Sequence, residues 1–220
     1  MARMARIVIP DIPHHIVQRG NRRQHVFFSD EDKSFYLNTL ADNARTNGLS
    51  IWAYCLMDNH VHLVVVPRNV AGLAKGIGDT HRSYSRRVNF REGWRGYLWQ
   101  GRFSSCPMDE PHLYRAVRYV ERNPVRAKMV IKAEDYIWSS AQAHVLARDD
   151  VCLSGDEREI LEIDDWMAYL RDADDEIYLR AFRRSSRTGR ALGDDNFIDK
   201  LEALTGRVLR KNKPGPKVGN

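Results

Sequence analysis

The chain has 220 residues, 43% hydrophobic and 29% charged, the make-up of an ordinary globular protein with one generous domain or a compact domain plus an extension. No apolar run approaches the ~20 residues of a membrane-spanning helix, and residues 1–10 lack the apolar core and cleavage site of a secretory signal. The net charge of +6 is unevenly laid down. Residues 1–148 hold 22 Lys/Arg against 13 Asp/Glu (+9), 149–179 hold 2 against 12 (−10), and 180–220 hold 11 against 4 (+7). Two basic blocks around an acidic one favour a polyanionic partner, nucleic acid in the first instance. Cys55, Cys106 and Cys152 are odd in number, far apart and free of any Cys-x-x-Cys pairing, which fits reduced thiols in a cytoplasm.

Residues 14–19 (HHIVQR) are short and β-prone and end at Gly20, so they predict a first strand. The loop that follows places Asn21, Arg22 and Arg23 beside Arg19, where guanidinium groups and backbone amides can hold phosphates or base edges. Ser29 with acids at 30–32 reads as a helix start, and Phe35, Tyr36, Leu40 and Ala44 keep helical spacing up to Asn47-Gly48.

Residues 50–57 and 60–66 predict a hairpin around Asp58-Asn59. Strand side chains alternate, so His60 and His62 share one face while Val61 faces the other way. Two imidazoles on one sheet face suit a single divalent metal ion. A second helical segment runs from Val70 to about Val88, broken by Gly93–Tyr97, and a fourth strand is expected near 102–107.

The order strand, helix, strand, strand, helix, strand predicts a ferredoxin-like βαββαβ α+β fold, an antiparallel sheet with helices on one face. A third helix, 110–122, starts with Pro111 and stops at Asn123-Pro124, since a residue before proline avoids the α region. Tyr119 and Asn123 are four apart and share a helical face. Residues 138–147 read as a further helix. Residues 149–179 carry enough Ile, Leu, Trp and Tyr among their acids to order as helices. Residues 183–190 read as a basic loop, 196–204 as a short amphipathic helix, and 207–220, with five Lys/Arg and no acid, as a disordered tail. No P-loop or dinucleotide fingerprint is present.

Tyrosine is a weak nucleophile: with an ordinary pKa near 10, ionising it at pH 7 costs about 4 kcal/mol. A nearby cation lowers that cost, and a metal on a phosphate oxygen makes phosphorus more electrophilic. Tyrosine attack on a phosphodiester keeps the bond's energy in a phosphotyrosine link, so a strand end can later be rejoined without ATP.

These residues also carry a family resemblance. Asn59-His60-Val61-His62 resembles the His-hydrophobic-His motif of the single-tyrosine HUH transposases, the IS200/IS605-like family. Residues 118–127 (RYVERNPVRA) resemble that family's nucleophile helix, and residues 18–21 (QRGN), 99–103 (WQGRF) and 138–140 (WSS) resemble its other blocks. The match spans roughly residues 7–145. Residues 188–193 (TGRALG) and Phe197 resemble the REP-associated tyrosine transposases within that group.

The resemblance implies Mg²⁺ or Mn²⁺ dependence, recognition of DNA hairpins with adjacent single strand, and cleavage and rejoining of that strand through a 5′-phosphotyrosine. Carried over by position, Tyr119 is the nucleophile and His60, His62 and Asn123 are metal ligands. Arg19, Asn21, Arg22, Arg102, Arg118 and Arg122 are candidate DNA contacts, as are Arg187 and Arg190 in the basic C-terminal segment.

The chain then divides into an HUH transposase-like catalytic domain (1–148), an acidic-then-basic helical extension (149–206) and the tail (207–220). A monomer or homodimer, cytoplasmic and nucleoid-associated when bound to DNA, is expected. One rival is a domesticated hairpin-binding protein that cuts weakly or not at all. Another is a His-x-His metallohydrolase, whose barrel usually needs about 250 residues.

Overall fold

The structure, a computed structural model, describes residues 5–172 and 175–210. Strands β1 (His14–Arg19), β2 (Leu49–Met57), β3 (His60–Pro67) and β4 (Ser104–Pro107) form one sheet in the order β2-β3-β1-β4. All neighbours pair antiparallel. Helix α1 (Asp30–Asn47) joins β1 to β2, and α2 (Gly72–Glu92) joins β3 to β4. The result is the expected ferredoxin-like α+β arrangement.

Local chemistry sets these boundaries. The Ser29 hydroxyl accepts from the Asp32 amide at the start of α1, and Gly48 closes it in the left-handed region at φ 63°. The β2–β3 hairpin turns on Asp58 and Asn59, with Met57 opposite His60. Register then fixes the faces, because residues opposite one another in an antiparallel pair point the same way. Arg19 lies opposite His60, Val17 opposite His62 and His15 opposite Val64, so His15, Val17, Arg19, His60 and His62 share one face. Ile16, Val61, Leu63 and Val65 take the other, packed on Tyr36, Leu40, Leu73, Ile77 and Tyr84 of α1 and α2.

Helices cover both faces, not one. Helix α3 (Glu110–Glu121) lays Leu113, Ala116, Val117 and Val120 against Ala53, Cys55 and Val64 on the face that carries the histidines. A ferredoxin-like sheet leaves that face bare, and the apolar residues alternating along β2 and β3 require a cover for it.

After α3 come α4 (Asn123–Arg126), α5 (Ala141–Val145), α6 (Glu157–Leu161), α7 (Trp166–Arg171), α8 (Glu176–Thr188) and α9 (Asp195–Thr205). The helix expected over 138–147 is shorter: Ser140 instead bonds to Tyr54, and the Trp138 carbonyl accepts the Leu56 amide, so this stretch ties down the edge strand. The acidic segment braces the same strand, with Tyr54 and Trp52 donating to Asp150 and Asp156 at 2.7 and 3.1 Å.

Residues 183–188, expected as loop, are the second half of α8, closed by Gly189 in the left-handed region. Leu179 and Phe182 insert into the core above the sheet. In the expected C-terminal tail, residues 207–210 pack back on the chain, with Arg207 donating to the Arg6 carbonyl at 3.3 Å. Residues 211–220 lie outside the described residues. Among the described residues no helix is long and apolar enough to cross a membrane.

Candidate active site

The two histidines of the hairpin start from different surroundings. His60 sits at the first position of β3, partly exposed, and its Nδ1 meets Asn59 Oδ1 at 2.6 Å. The Asn59 amide nitrogen in turn donates to the Arg23 carbonyl at 3.0 Å. A carbonyl can only accept, which orients the amide and makes His60 Nδ1 the donor. The lone pair of His60 therefore sits on Nε2.

His62 is buried, and its Nδ1 lies 2.9 Å from His15 Nε2, whose own Nδ1 lies 2.8 Å from the Ser186 hydroxyl. The His60 and His62 ring centres are 5.0 Å apart. Neither Nε2 has a hydrogen-bond partner among the described residues.

Burial keeps all three imidazoles neutral. It pushes His60 down to about 4, with Arg19 adding to the effect and Asp58 opposing it, and pushes His15 down to about 3. His62 is lowered well below the ordinary value, first by burial and then by the neighbouring His60, His15, Arg126 and Arg19. Neutral imidazoles with a second nitrogen anchored are what a metal ion requires.

Tyr119 reaches the same place from α3. Its ring centre stands 5.5 Å from that of His62 and 6.0 Å from that of His15, nearly perpendicular to both. Phe182 of α8 lies on it at 4.6 Å, and the Arg126 guanidinium sits over the ring at 4.1 Å while also donating to the Tyr119 carbonyl. Tyr119 is only 7% exposed, yet it lines an open cavity.

That cavity, about 970 Å³, is lined by His15, His62 and Tyr119 and by six arginines. Arg19 and Arg23 come from β1 and the loop after it; Arg180, Arg183, Arg184 and Arg187 form a stripe at i, i+3, i+4 and i+7 along α8. The loop is held tightly. Gly20 has no room for a side chain: a Cβ there would meet the Gln24 carbonyl at 2.3 Å. Arg22 and Arg23 both take positive φ, at 53° and 61°, a conformation that costs non-glycine residues of order 1–3 kcal/mol each.

The other expected contacts scatter. Asn21 and Arg22 lie in the short 3₁₀ turn beside the cavity, off its lining, whereas Arg187 is on it. Arg102 lies in adjoining grooves with Arg6 and Phe103. Arg118 and Arg122 turn to α7, pairing with Asp172 at 2.9 Å and with the Leu170 carbonyl. Arg190 donates to the Leu209 carbonyl at 2.8 Å. Asn123 is buried, and its amide nitrogen donates to the Tyr119 and Val120 carbonyls at 3.0 and 3.1 Å, so it caps α3. Its oxygen is the atom left for other partners.

No motif in the sequence points to His15, and of the α8 stripe only Arg187 was a candidate contact, in a stretch expected as loop. The arginine spacing was the available signal for the stripe. Among the described residues, no three His, Cys, Asp or Glu side chains gather as a metal site. Two imidazole nitrogens alone fit an ion that completes its shell from oxygens, as Mn²⁺ or Mg²⁺ does.

Comparison with known proteins now decides the family. The family described as "Transposase IS200 like" matches residues 9–123, more than half of the chain. The chain belongs to that family. The matched span of this IS200-like transposase runs from just before β1 to Asn123, and so takes in His60, His62 and Tyr119.

Among solved structures it is similar to a REP-associated tyrosine transposase bound to a REP hairpin. The TM-score is 0.53 at 20% identity, covering 71% of this chain and 93% of that one. A protein from Deinococcus radiodurans R1 assigned as a transposase is also similar, with TM-score 0.38 at 20% identity over 55% of this chain and 97% of that one. No curated protein matches.

Proposed function

We propose that this IS200-like transposase cuts and rejoins single-stranded DNA next to a hairpin, with Tyr119 as the nucleophile. One observation carries the reading: the Tyr119 ring stands 5.5 Å from His62 in a cavity lined by arginines. The REP hairpin held by the structurally similar transposase supports the hairpin part of the substrate.

In the reaction, the Tyr119 oxygen attacks phosphorus, forming a Tyr–O–P bond to the 5′ side as the P–O3′ bond breaks. The phenol gives up its proton and the departing 3′ oxygen gains one. Reversal, with another 3′-hydroxyl attacking the phosphotyrosine, rejoins a strand. The arginines lining the cavity neutralise the strand's phosphates and hold the scissile one against Tyr119. Arg126, over the phenol ring and bonded to the Tyr119 carbonyl, holds the ring in place.

His60 and His62, through Nε2, would hold a divalent ion, with the Asn123 amide oxygen as a third donor. When bound, that ion polarises the scissile phosphate.

A second reading rests on Phe182. Its packing on the 7% exposed Tyr119 favours a hairpin-binding protein that cuts little. A denaturing gel separates the two. Full-length protein incubated with Mn²⁺ and a labelled hairpin bearing a single-stranded flank should give a covalent adduct that Tyr119→Phe abolishes. Binding without any adduct would leave the second reading standing.

A further inference from the structure

We infer that His15, held in turn by Ser186 of α8, is a positioning residue that fixes the tautomer and orientation of His62, so that its Nε2 faces the cavity. The inference rests on the reading that His60 and His62 hold a divalent ion.

The hairpin supplies an orienting partner for only one of its two histidines. Asn59 adjoins His60 in sequence and fixes its ring. His62 has no such neighbour; at its Nδ1, 2.9 Å away, stands His15 Nε2 from the adjacent strand. The two rings lie nearly parallel, 6° apart, on the shared sheet face set by the β1–β3 register.

A neutral imidazole has one donor and one acceptor, so the chain Ser186–His15–His62 runs in one of two directions. In the first, His62 Nδ1–H donates to His15 Nε2, and His15 Nδ1–H donates to the Ser186 oxygen. The lone pair of His62 is then on Nε2. In the second, Ser186 donates to His15, His15 donates to His62, and the proton of His62 occupies Nε2, where it blocks an ion. Only the first direction makes His62 a ligand like His60.

The end of this chain lies outside the residues matched by the family. Ser186 is buried in α8, and Phe182, one turn earlier, packs on His15 at 4.6 Å. Docking of the C-terminal extension thus reaches an ion ligand of the sheet through two hydrogen bonds. His15 is not itself a ligand in this scheme; it acts through His62. An orienting partner of this kind is commonly worth about 10- to 100-fold in metal affinity.

The test uses the full, DNA-free chain and Mn²⁺ itself. Titration followed by electron paramagnetic resonance gives the affinity, and ¹⁵N correlation spectra of the histidine rings give the His62 tautomer without metal. His15→Phe should weaken Mn²⁺ binding by about 10- to 100-fold and remove the Nδ1-protonated signature of His62. His15→Gln, whose side-chain oxygen can accept from His62 Nδ1, should recover most of both. Ser186→Ala should give a smaller loss in the same direction.

Thermal melts check that each variant folds. Should His15→Phe misfold, the wild-type spectrum still decides, since a proton on His62 Nε2 overturns the inference. Unchanged affinity and tautomer in folded His15→Phe would also overturn it, provided that His60→Ala and His62→Ala abolish binding. Mn²⁺ binding that survives those two substitutions would instead remove the metal reading beneath it.

Discussion

Replacing Arg180, Arg183, Arg184 and Arg187 together by Gln removes four of the six arginines that line the cavity with Tyr119 and His62. The consequence can be worked out from counterion release. On single-stranded DNA each neutralised phosphate adds about 0.7 to the slope of log affinity against log salt concentration. If each lining arginine takes one phosphate, wild type has a slope of about −4 and the variant about −1.4.

Raising salt from about 50 to about 200 mM should therefore weaken wild type by roughly 300-fold and the variant by only about 7-fold. Fluorescence anisotropy with a labelled hairpin carrying a single-stranded flank measures both slopes. All four residues are exposed, and none pairs with an acid among the described residues. Each substitution should thus move stability by no more than about 0.5 kcal/mol. A variant slope equal to that of wild type would refute the assignment of this cavity to the strand's phosphates.

Tyr119→Phe should lose all covalent product yet bind the hairpin within about threefold of wild type, because the ring contacts with His62 and Phe182 stay and only a hydroxyl goes; a large loss of affinity in electrophoretic shifts would count against a purely chemical role. Acid should destabilise the fold. Burial lowers His14 and His60 to about 4, His15 and His81 to about 3, and His62 well below the ordinary value. The unfolded chain takes protons on these groups near pH 6.5 while the folded one does not, so stability is full above that pH. It then drops toward pH 4 by up to about 1.4 kcal/mol per pH unit for each group. Equal urea midpoints at pH 7.5 and 5.5 would contradict this. Gly20→Ala, with its Cβ forced to 2.3 Å from the Gln24 carbonyl, should cost about 1–3 kcal/mol and loosen the loop that carries Arg23; an unchanged melting temperature would show that the loop yields freely.

Local signals made the sheet and its two connecting helices legible. Ser29 and Gly48 bound α1, Asp58-Asn59 turns the hairpin, and strand alternation puts His60 and His62 on one face. What covers that face was not local. Helix α3 and Phe182 of α8 reach it from distant parts of the chain, and nothing in residues 12–19 announces that His15 will meet a serine 171 residues away. Four arginines in eight residues read as loop because charge density masked the helical spacing, which the Asp175 cap and Gly189 bound on either side. Arg118 and Arg122 flank Tyr119 in the sequence yet turn to the C-terminal end of α7, to Asp172 and the Leu170 carbonyl. Sequence proximity to Tyr119 did not bring them onto the cavity lining.

If Tyr119 is the nucleophile, its phenol oxygen is the atom that DNA phosphorus joins. Trypsin cuts after Arg118 and Arg122, which isolates Tyr119 in a four-residue peptide. Mass spectrometry of protein reacted with the hairpin substrate in Mn²⁺, then digested with nuclease and trypsin, should find a nucleotide phosphate on that peptide. A nucleotide mass on any other peptide would contradict the account.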